Sequence, residues 1–221
     1  MISRAAPTEC FVYITLPGQT DSVTAGRFQL AADRSGAPVG RFIYGRSYLD
    51  RREAVELDPV ELKLARRVTY ETAGLKGVFG ALRDSGPDYW GRTVIERHSG
   101  RAPLGELDYL LESPDDRAGA LGFGLGHEPP APRRNFNQTM QLEKLQKIAH
   151  DLLQEETKNA SGVDAAQVQE LLLIKTSMGG ARPKAVVEDV DGLWLAKFNM
   201  PHDRWNMARV EHAMQIGRAH V

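Results

Sequence analysis

The sequence predicts an α+β fold, in which a small N-terminal sheet-and-helix subdomain precedes a region of helices and one hairpin. Three apolar segments of strand length, separated by turn residues, lie near the N-terminus: 10–16, 26–31 and 38–44. Residues 145–153 place apolar side chains at helical spacing instead. Two later apolar runs, 185–187 and 193–198, flank Asp191-Gly192, a dipeptide typical of β-hairpins.

The amino-acid composition excludes several classes of partner and site for this chain. The 221 residues include 28 Lys plus Arg and 29 Asp plus Glu, so the net charge of −1 gives no global attraction to nucleic acid or membranes. Cys10 is the single cysteine, which excludes an internal disulfide and any multi-cysteine metal site. The sequence has no signal-peptide pattern and no run of about 18 apolar residues. We therefore expect a soluble cytoplasmic protein with no membrane partner.

The first half of the chain continues with mixed patterns. The secondary structure of residues 59–74 is ambiguous, although the segment begins with the alternation of apolar and polar residues that is typical of a strand. Residues 77–98 turn into a helix that Asp84, Ser85 or Asp88 is able to cap. Its predicted apolar stripe consists of Trp90, Val94 and Ile95. A short helix over 104–111 and a glycine-rich strand over 118–126 follow, and we interpret Asp115 and Asp116 between them as turn residues.

The second half begins after a proline-rich linker. Its first helix, around residues 145–153, has Asn137 as a candidate N-cap, and another helix is predicted to begin near Ser161. The last helix is expected over 203–215. The histidines are scattered without metal-ligand spacing, so we predict no metal site from them.

A glycine segment, 176–185, carries the main chemical signal. Gly179-Gly180 can turn backbone N–H groups inward to form an anion-binding concavity. Lys197 lies near the end of the second hairpin strand, where a point charge suits phosphate oxygens. The segment is neither a Walker loop nor a Rossmann fingerprint. An ordinary turn and a solvated lysine remain the alternative interpretation.

These residues resemble the HipA family of serine/threonine kinases, which are the toxins of bacterial toxin–antitoxin pairs. The resemblance covers residues 10–215 and is carried by four segments in the family's order: 77–92, 117–123, 177–185 and 193–198. It implies an N-terminal HipA subdomain over 8–126, a linker over 127–137 and the start of a kinase domain, with the fold of a kinase N-lobe, over 138–215.

The resemblance also implies an activity. Family members transfer the γ-phosphate of ATP, with Mg²⁺, to a serine or threonine of a protein substrate. Aminoacyl-tRNA synthetases are among the substrates of the family, and an antitoxin that itself contacts DNA is the partner. DNA contact by this chain is therefore expected only through the antitoxin.

Site residues follow from the same resemblance. Those assigned to ATP binding are Gly179, Gly180, Ala181, Lys184 and Lys197. Glu211 on the last helix is the candidate to pair with Lys197, as in kinase-like folds, and a surface glutamate is the alternative. Ser177 stands at the position that the family autophosphorylates. Arg182-Pro183 departs from better-known members at this loop.

The expected catalytic and metal-binding aspartates have no counterpart in this sequence. Residues 216–221 look like a translated sequencing adapter, and Gly217 is expected to interrupt the last helix. We therefore expect an artificially shortened and inactive chain with no catalytic or metal residue of its own. The alternatives are a non-catalytic interaction module and a small-molecule or lipid kinase.

Overall fold

The computed structural model describes residues 7–100, 104–113, 117, 119–131, 137–138, 142–158, 182–200 and 202–218. The chain divides into two compact units. The first comprises Met1–Pro87 and Ala102–Arg133, and the second comprises Asp88–Arg101 and Arg134–Val221. The later boundary between the units falls inside the predicted linker, 127–137, and residues 88–101 are grouped with the second unit. The predicted domain bounds stay a prediction.

The described elements are mixed α and β. In chain order, the strands are β1 (Glu9–Thr15), β2 (Ser22–Ala32), β3 (Pro38–Tyr44), β4 (Thr69–Thr72), β5 (Leu121–Gly124), β6 (Asn137–Gln138), β7 (Lys184–Asp189) and β8 (Gly192–Lys197). The helices are α1 (Arg46–Leu49), α2 (Gly80–Asp84), α3 (Tyr89–Ser99), α4 (Glu106–Glu112), α5 (Leu142–Lys158) and α6 (Met207–Arg218), with a 3₁₀ turn at Gly74–Lys76.

The sheet of the first unit has the spatial order β4-β3-β2-β1-β5 within the described residues, and every neighbouring pair is antiparallel. The three strands predicted near the N-terminus are confirmed. They form because their apolar residues alternate, which lets each strand bury one face of the sheet. Of the ambiguous residues 59–74, only those of β4 form a strand. Arg67 adopts φ 60°, a left-handed conformation that interrupts an extended chain just before β4.

Aromatic side chains form much of the core of this unit. Phe28 of β2 and Phe42 of β3 are direct partners in the sheet, and both are fully buried. Burial of such a ring contributes about 1.5–3 kcal/mol. Tyr44 is also buried, and its hydroxyl donates to Leu62 O at 2.5 Å and accepts from Leu57 N at 2.9 Å. The 57–62 connection is thereby held against the sheet.

The segment 77–92, which carries part of the family resemblance, begins at a close backbone approach. Gly77 adopts φ +80°, and a Cβ at Gly40 would lie 1.9 Å from Gly77 O. Any side chain at Gly40 would therefore push the two backbones apart. Val78 and Phe79, which follow, are buried in the core.

Arg117 is a buried cation that joins helix ends to the sheet of the first unit. Its Nη2 donates to Leu110 O at 2.6 Å and Ser113 O at 2.8 Å, at the end of α4. Its Nη1 donates to Ser85 O at 3.4 Å, just after α2, and the guanidinium lies 4.9 Å from the centroid of the Phe123 ring. Carbonyl groups at helix C-termini are favourable partners for a cation. Arg117 thereby connects two of the segments that carry the family resemblance, 77–92 and 117–123.

The second unit contains a three-stranded sheet with the order β6-β7-β8. β6 is parallel to β7, whereas β7 and β8 form the predicted antiparallel hairpin. Asn137 pairs with Val187 in this sheet and does not cap α5, which begins at Leu142. The predicted Asn137 cap is therefore wrong.

One cluster forms the core of the second unit. Asp88 caps α3 by accepting a hydrogen bond from Gly91 N at 2.9 Å, and this predicted cap is confirmed. The buried members come from α3, α5, β7 and the residue after β8: Trp90, Val94, Leu145, Ile148, Ala149, Val187 and Phe198. The predicted helical stripes of α3 and α5 thus supply most of this core.

The last helix, α6, continues through Gly217 to Arg218, so the expected interruption at Gly217 is absent. The predicted helix near Ser161 and the turn residues Asp115 and Asp116 lie outside the described residues. In the described part of the chain, no helix combines the length and apolarity that crossing a membrane requires.

Candidate functional site

The β7–β8 hairpin provides the framework for the predicted site. Val190 and Asp191 form its turn, and Gly192 has φ +133° at the start of β8. Asp189 Oδ1 accepts from Asp191 N at 2.8 Å, Gly192 N at 3.2 Å and Trp194 Nε1 at 2.8 Å. One carboxylate therefore closes the turn, and the register places Lys184 opposite Lys197.

Lys197 and Glu211 come together in the structure. The Lys197 amine at the end of β8 donates to Glu211 Oε1 on α6, across 14 positions of sequence. Both side chains are 44% exposed. This pair is therefore accessible to a ligand, and the carboxylate limits the directions in which the flexible lysine can point.

Arg182 and Asp203 form a second ion pair near the same strand ends, which we call the fork. Arg182 Nη1 donates to Asp203 Oδ2 at 2.6 Å, and Nη2 donates to Oδ1 at 2.8 Å. Met200 N also donates to Oδ2 at 2.8 Å. The hydrogen bonds from Arg182 are the main reason that the pKa of Asp203 is lowered to about 2.

Lys184 has a different environment from Lys197. Its side chain is 5% exposed, and its amine donates to Asp88 Oδ2 at 2.8 Å. Asp88 thus binds Lys184 with one oxygen and caps α3 with the other. Because the Lys184 amine is already bound to a carboxylate inside the unit, we base the candidate site on Lys197.

The remaining predicted site residues are Ser177, Gly179, Gly180 and Ala181, and all four lie outside the described residues. The described residues also contain no group of three or more His, Cys, Asp or Glu side chains placed to hold a metal ion. The described part of the site therefore consists of the Lys197–Glu211 pair and the fork beside it, and the cation of each pair is partly exposed.

Sequence reasoning missed two of the three ion pairs. Arg182 was singled out only as a departure from the family pattern, and neither Asp203 nor Asp88 was assigned a partner. An acidic residue just before a predicted helix is a candidate N-cap, but Asp203 lies four residues before α6 and accepts from Met200 N and Arg182 instead. No signal pointed to the Asp88–Lys184 pair, whose members are 96 residues apart.

No protein-family model matches the chain, and no curated protein is detectably similar to it in sequence. The resemblance to the HipA family therefore rests on its motifs, and the function that it implies stays a prediction.

The described geometry defines what the site can do chemically. A lysine ammonium held by a carboxylate, yet still half exposed, can donate its remaining N–H groups to an anionic oxygen. A phosphate oxygen suits such a donor, because the charge-assisted hydrogen bond is roughly twice as strong as a neutral one. The exposed ammonium can therefore contact an anionic oxygen, and a phosphorylated ligand as the source of that oxygen stays a prediction.

Proposed function

We propose that this chain is the nucleotide-binding part of a HipA-like serine/threonine protein kinase of a toxin–antitoxin system. The observation that carries the proposal is the ion pair between Lys197 on β8 and Glu211 on the helix that follows. In protein kinases, a strand lysine paired with a helix glutamate contacts the nucleotide phosphates. A carboxylate partner fixes the amine in advance, so that less entropy is lost when a phosphate binds.

Each residue has a role in this proposal. Lys197 holds the α- and β-phosphates of ATP, and Glu211 orients it. The backbone amides of Gly179, Gly180 and Ala181 bind phosphate oxygens, and Ser177 is the site of autophosphorylation. These 221 residues bind nucleotide in the proposal, and no proton-transfer role is assigned to any of them.

ATP with Mg²⁺ is the proposed cofactor pair. The Lys197 ammonium suits the negative charge of the ATP phosphates, whereas the described residues offer no cluster of metal ligands. When bound to the nucleotide, Mg²⁺ would neutralise phosphate charge. A protein serine or threonine is the proposed phosphate acceptor, with an antitoxin as the binding partner.

The first prediction tests the role of Lys197. Lys197→Met should weaken ATP binding roughly ten- to a hundredfold, because charge-assisted contacts of this kind contribute about 1.5–3 kcal/mol. Adenosine binding should change little, since adenosine has no phosphate. Titration calorimetry of the purified chain with ATP and with adenosine measures both affinities.

Lys147→Met is the matched control, because it removes an exposed lysine from α5. Its ATP affinity should equal that of the wild type. A folded wild-type chain that binds no ATP contradicts the proposal and favours the non-catalytic interaction module. Unchanged ATP affinity in Lys197→Met removes Lys197 from the site.

A further inference from the structure

We infer that Arg182 and Asp203 are positioning residues that set where Glu211 meets Lys197, and so control the affinity for nucleotide phosphates. The inference rests on the proposed function and adds to it two residues to which the family resemblance gave no role. Neither residue needs to touch the nucleotide.

The fork is a rigid contact. Its two hydrogen bonds, at 2.6 and 2.8 Å, join a planar guanidinium to a planar carboxylate in bidentate geometry. The Asp203 side chain is only 10% exposed, and Met200 N adds a third donor to it. A carboxylate with three donors has little freedom to turn, so the guanidinium is fixed as well.

The fork joins the starts of two elements that carry the candidate site. Arg182 lies two residues before β7, and Asp203 lies four residues before α6. Next to Arg182, Pro183 O accepts from Phe198 N at 2.9 Å, directly after β8. The beginning of α6 is therefore tied to the same end of the hairpin that carries Lys197.

Apolar packing gives residues 207–215 of α6 little support. Residues 208–210 and 212–215 are exposed, and only Met207 and Glu211 are half-buried among residues 207–215. A helix that buries so little apolar surface gains little orientation from the hydrophobic effect. Polar contacts hold its start instead: the fork, and a hydrogen bond from Ala208 N to Asn199 Oδ1 at 3.3 Å.

The charge of Glu211 also acts on the fork. The hydrogen bonds to Asp203 are the largest cause of the raised pKa of Arg182, and the Glu211 carboxylate adds to the increase. Arg182 thus interacts electrostatically with Asp203, which precedes α6, and with Glu211 within that helix. Loss of the fork would free the start of α6 and let Glu211 shift away from Lys197.

A double-mutant cycle on the purified chain tests the inference. Arg182→Gln should weaken ATP binding about tenfold and leave adenosine binding unchanged. A change of about tenfold lies in the usual range of interaction energies between residues of one hydrogen-bond network. In a Glu211→Gln background, Arg182→Gln should have no further effect on ATP affinity, because its effect passes through Glu211. Arg204→Gln, which removes an exposed neighbouring arginine, should behave like the wild type.

Each alternative outcome has a distinct meaning. Equal losses of ATP affinity with and without Glu211 would show that Arg182 acts independently of it, and would overturn the inference. So would unchanged ATP affinity in Arg182→Gln. Circular dichroism checks folding, and Asp203→Asn, an isosteric change of the partner, repeats the test if Arg182→Gln does not fold. A wild-type chain without ATP affinity overturns both proposals, whereas affinity that depends on Lys197 and not on Arg182 overturns only this one.

Discussion

Asp203 is a residue of the fork whose pKa the folded structure lowers, and this shift has a testable effect on stability. Its pKa falls from 3.8 to about 2, chiefly because Arg182 donates two hydrogen bonds to the charged carboxylate. A group with a lowered pKa in the folded state stabilises the fold above its unfolded pKa. That contribution is present above pH 3.8 and is lost as the pH falls toward about 2.

The second prediction follows from this direction. Asp203→Asn should be less stable than the wild type near neutral pH, and the difference should shrink as the pH falls below 3.8 toward about 2. Urea unfolding at several pH values measures the difference. Asp21→Asn, which removes an exposed carboxylate of the first unit, is the control. A constant difference across this range would contradict the assignment of the lowered pKa to Asp203.

The candidate site shows how far sequence reasoning reaches for single residues. The resemblance to kinase-like folds predicts Lys197 and Glu211 as partners, because such folds pair a strand lysine with an acidic residue on the next helix. Arg182 with Asp203, and Lys184 with Asp88, could not be paired from sequence. Periodicity assigns a residue to a face of its own element, but it does not give the side chain that a distant segment brings to that face.

At the scale of elements, Asp88 joins α3 to β7. One carboxylate oxygen caps the helix, and the other binds the nearly buried amine of Lys184. A cap contributes about 1 kcal/mol, whereas removal of one partner of a buried ion pair costs about 3–5 kcal/mol. The ion pair should therefore dominate the contribution of Asp88 to stability.

The third prediction separates these two roles. Asp88→Ala should lower the free energy of unfolding by about 3–5 kcal/mol, because it removes both the cap and the carboxylate. Asp88→Asn should lose less, since the single amide oxygen of asparagine can keep one of the two contacts, either the cap or the hydrogen bond from Lys184. Denaturant unfolding of both variants measures the order. Asp84→Ala, at an exposed aspartate that ends α2, should change little, and equal losses in Ala and Asn variants would contradict the two-role assignment.

Elements with a strong pattern were predictable from sequence. β1, β2 and β3 alternate in hydrophobicity, α5 has a clear apolar stripe, and the hairpin has its Asp-Gly signal. The predicted cap at Asn137 was wrong because this residue belongs to β6. This two-residue strand is defined by its pairing with β7. Strands that short have no period of their own.

At the scale of the whole molecule, the first unit encloses the single cysteine. Cys10 is 2% exposed, and burial raises the pKa of its thiol to about 12. The reactive species is the thiolate, so a buried neutral thiol is unreactive. The thiol of the unfolded chain has a lower pKa, 9.0, than the thiol of the folded chain. As the pH rises above 9.0 toward about 12, the thiol ionises more readily in the unfolded chain, and the fold becomes less stable.

The fourth prediction concerns the reactivity of this thiol. At neutral pH the native chain should react with a disulfide reagent such as DTNB only as fast as the first unit opens, and denaturant should make labelling rapid and stoichiometric. The guanidinium-unfolded chain is the control for full reactivity. Immediate labelling of the native chain would contradict the burial of Cys10.

The tryptophans have the opposite distribution. All three in the sequence, Trp90, Trp194 and Trp205, lie in the second unit, one buried at 1% exposure and two exposed at 54% and 72%. Indole fluorescence, excited at the red edge of the absorption band where tyrosine does not absorb, therefore originates entirely in that unit. An emission change during unfolding or ATP titration reports on α3, β8 and the segment before α6. The thiol reaction of Cys10 follows the first unit in the same sample, without any introduced label.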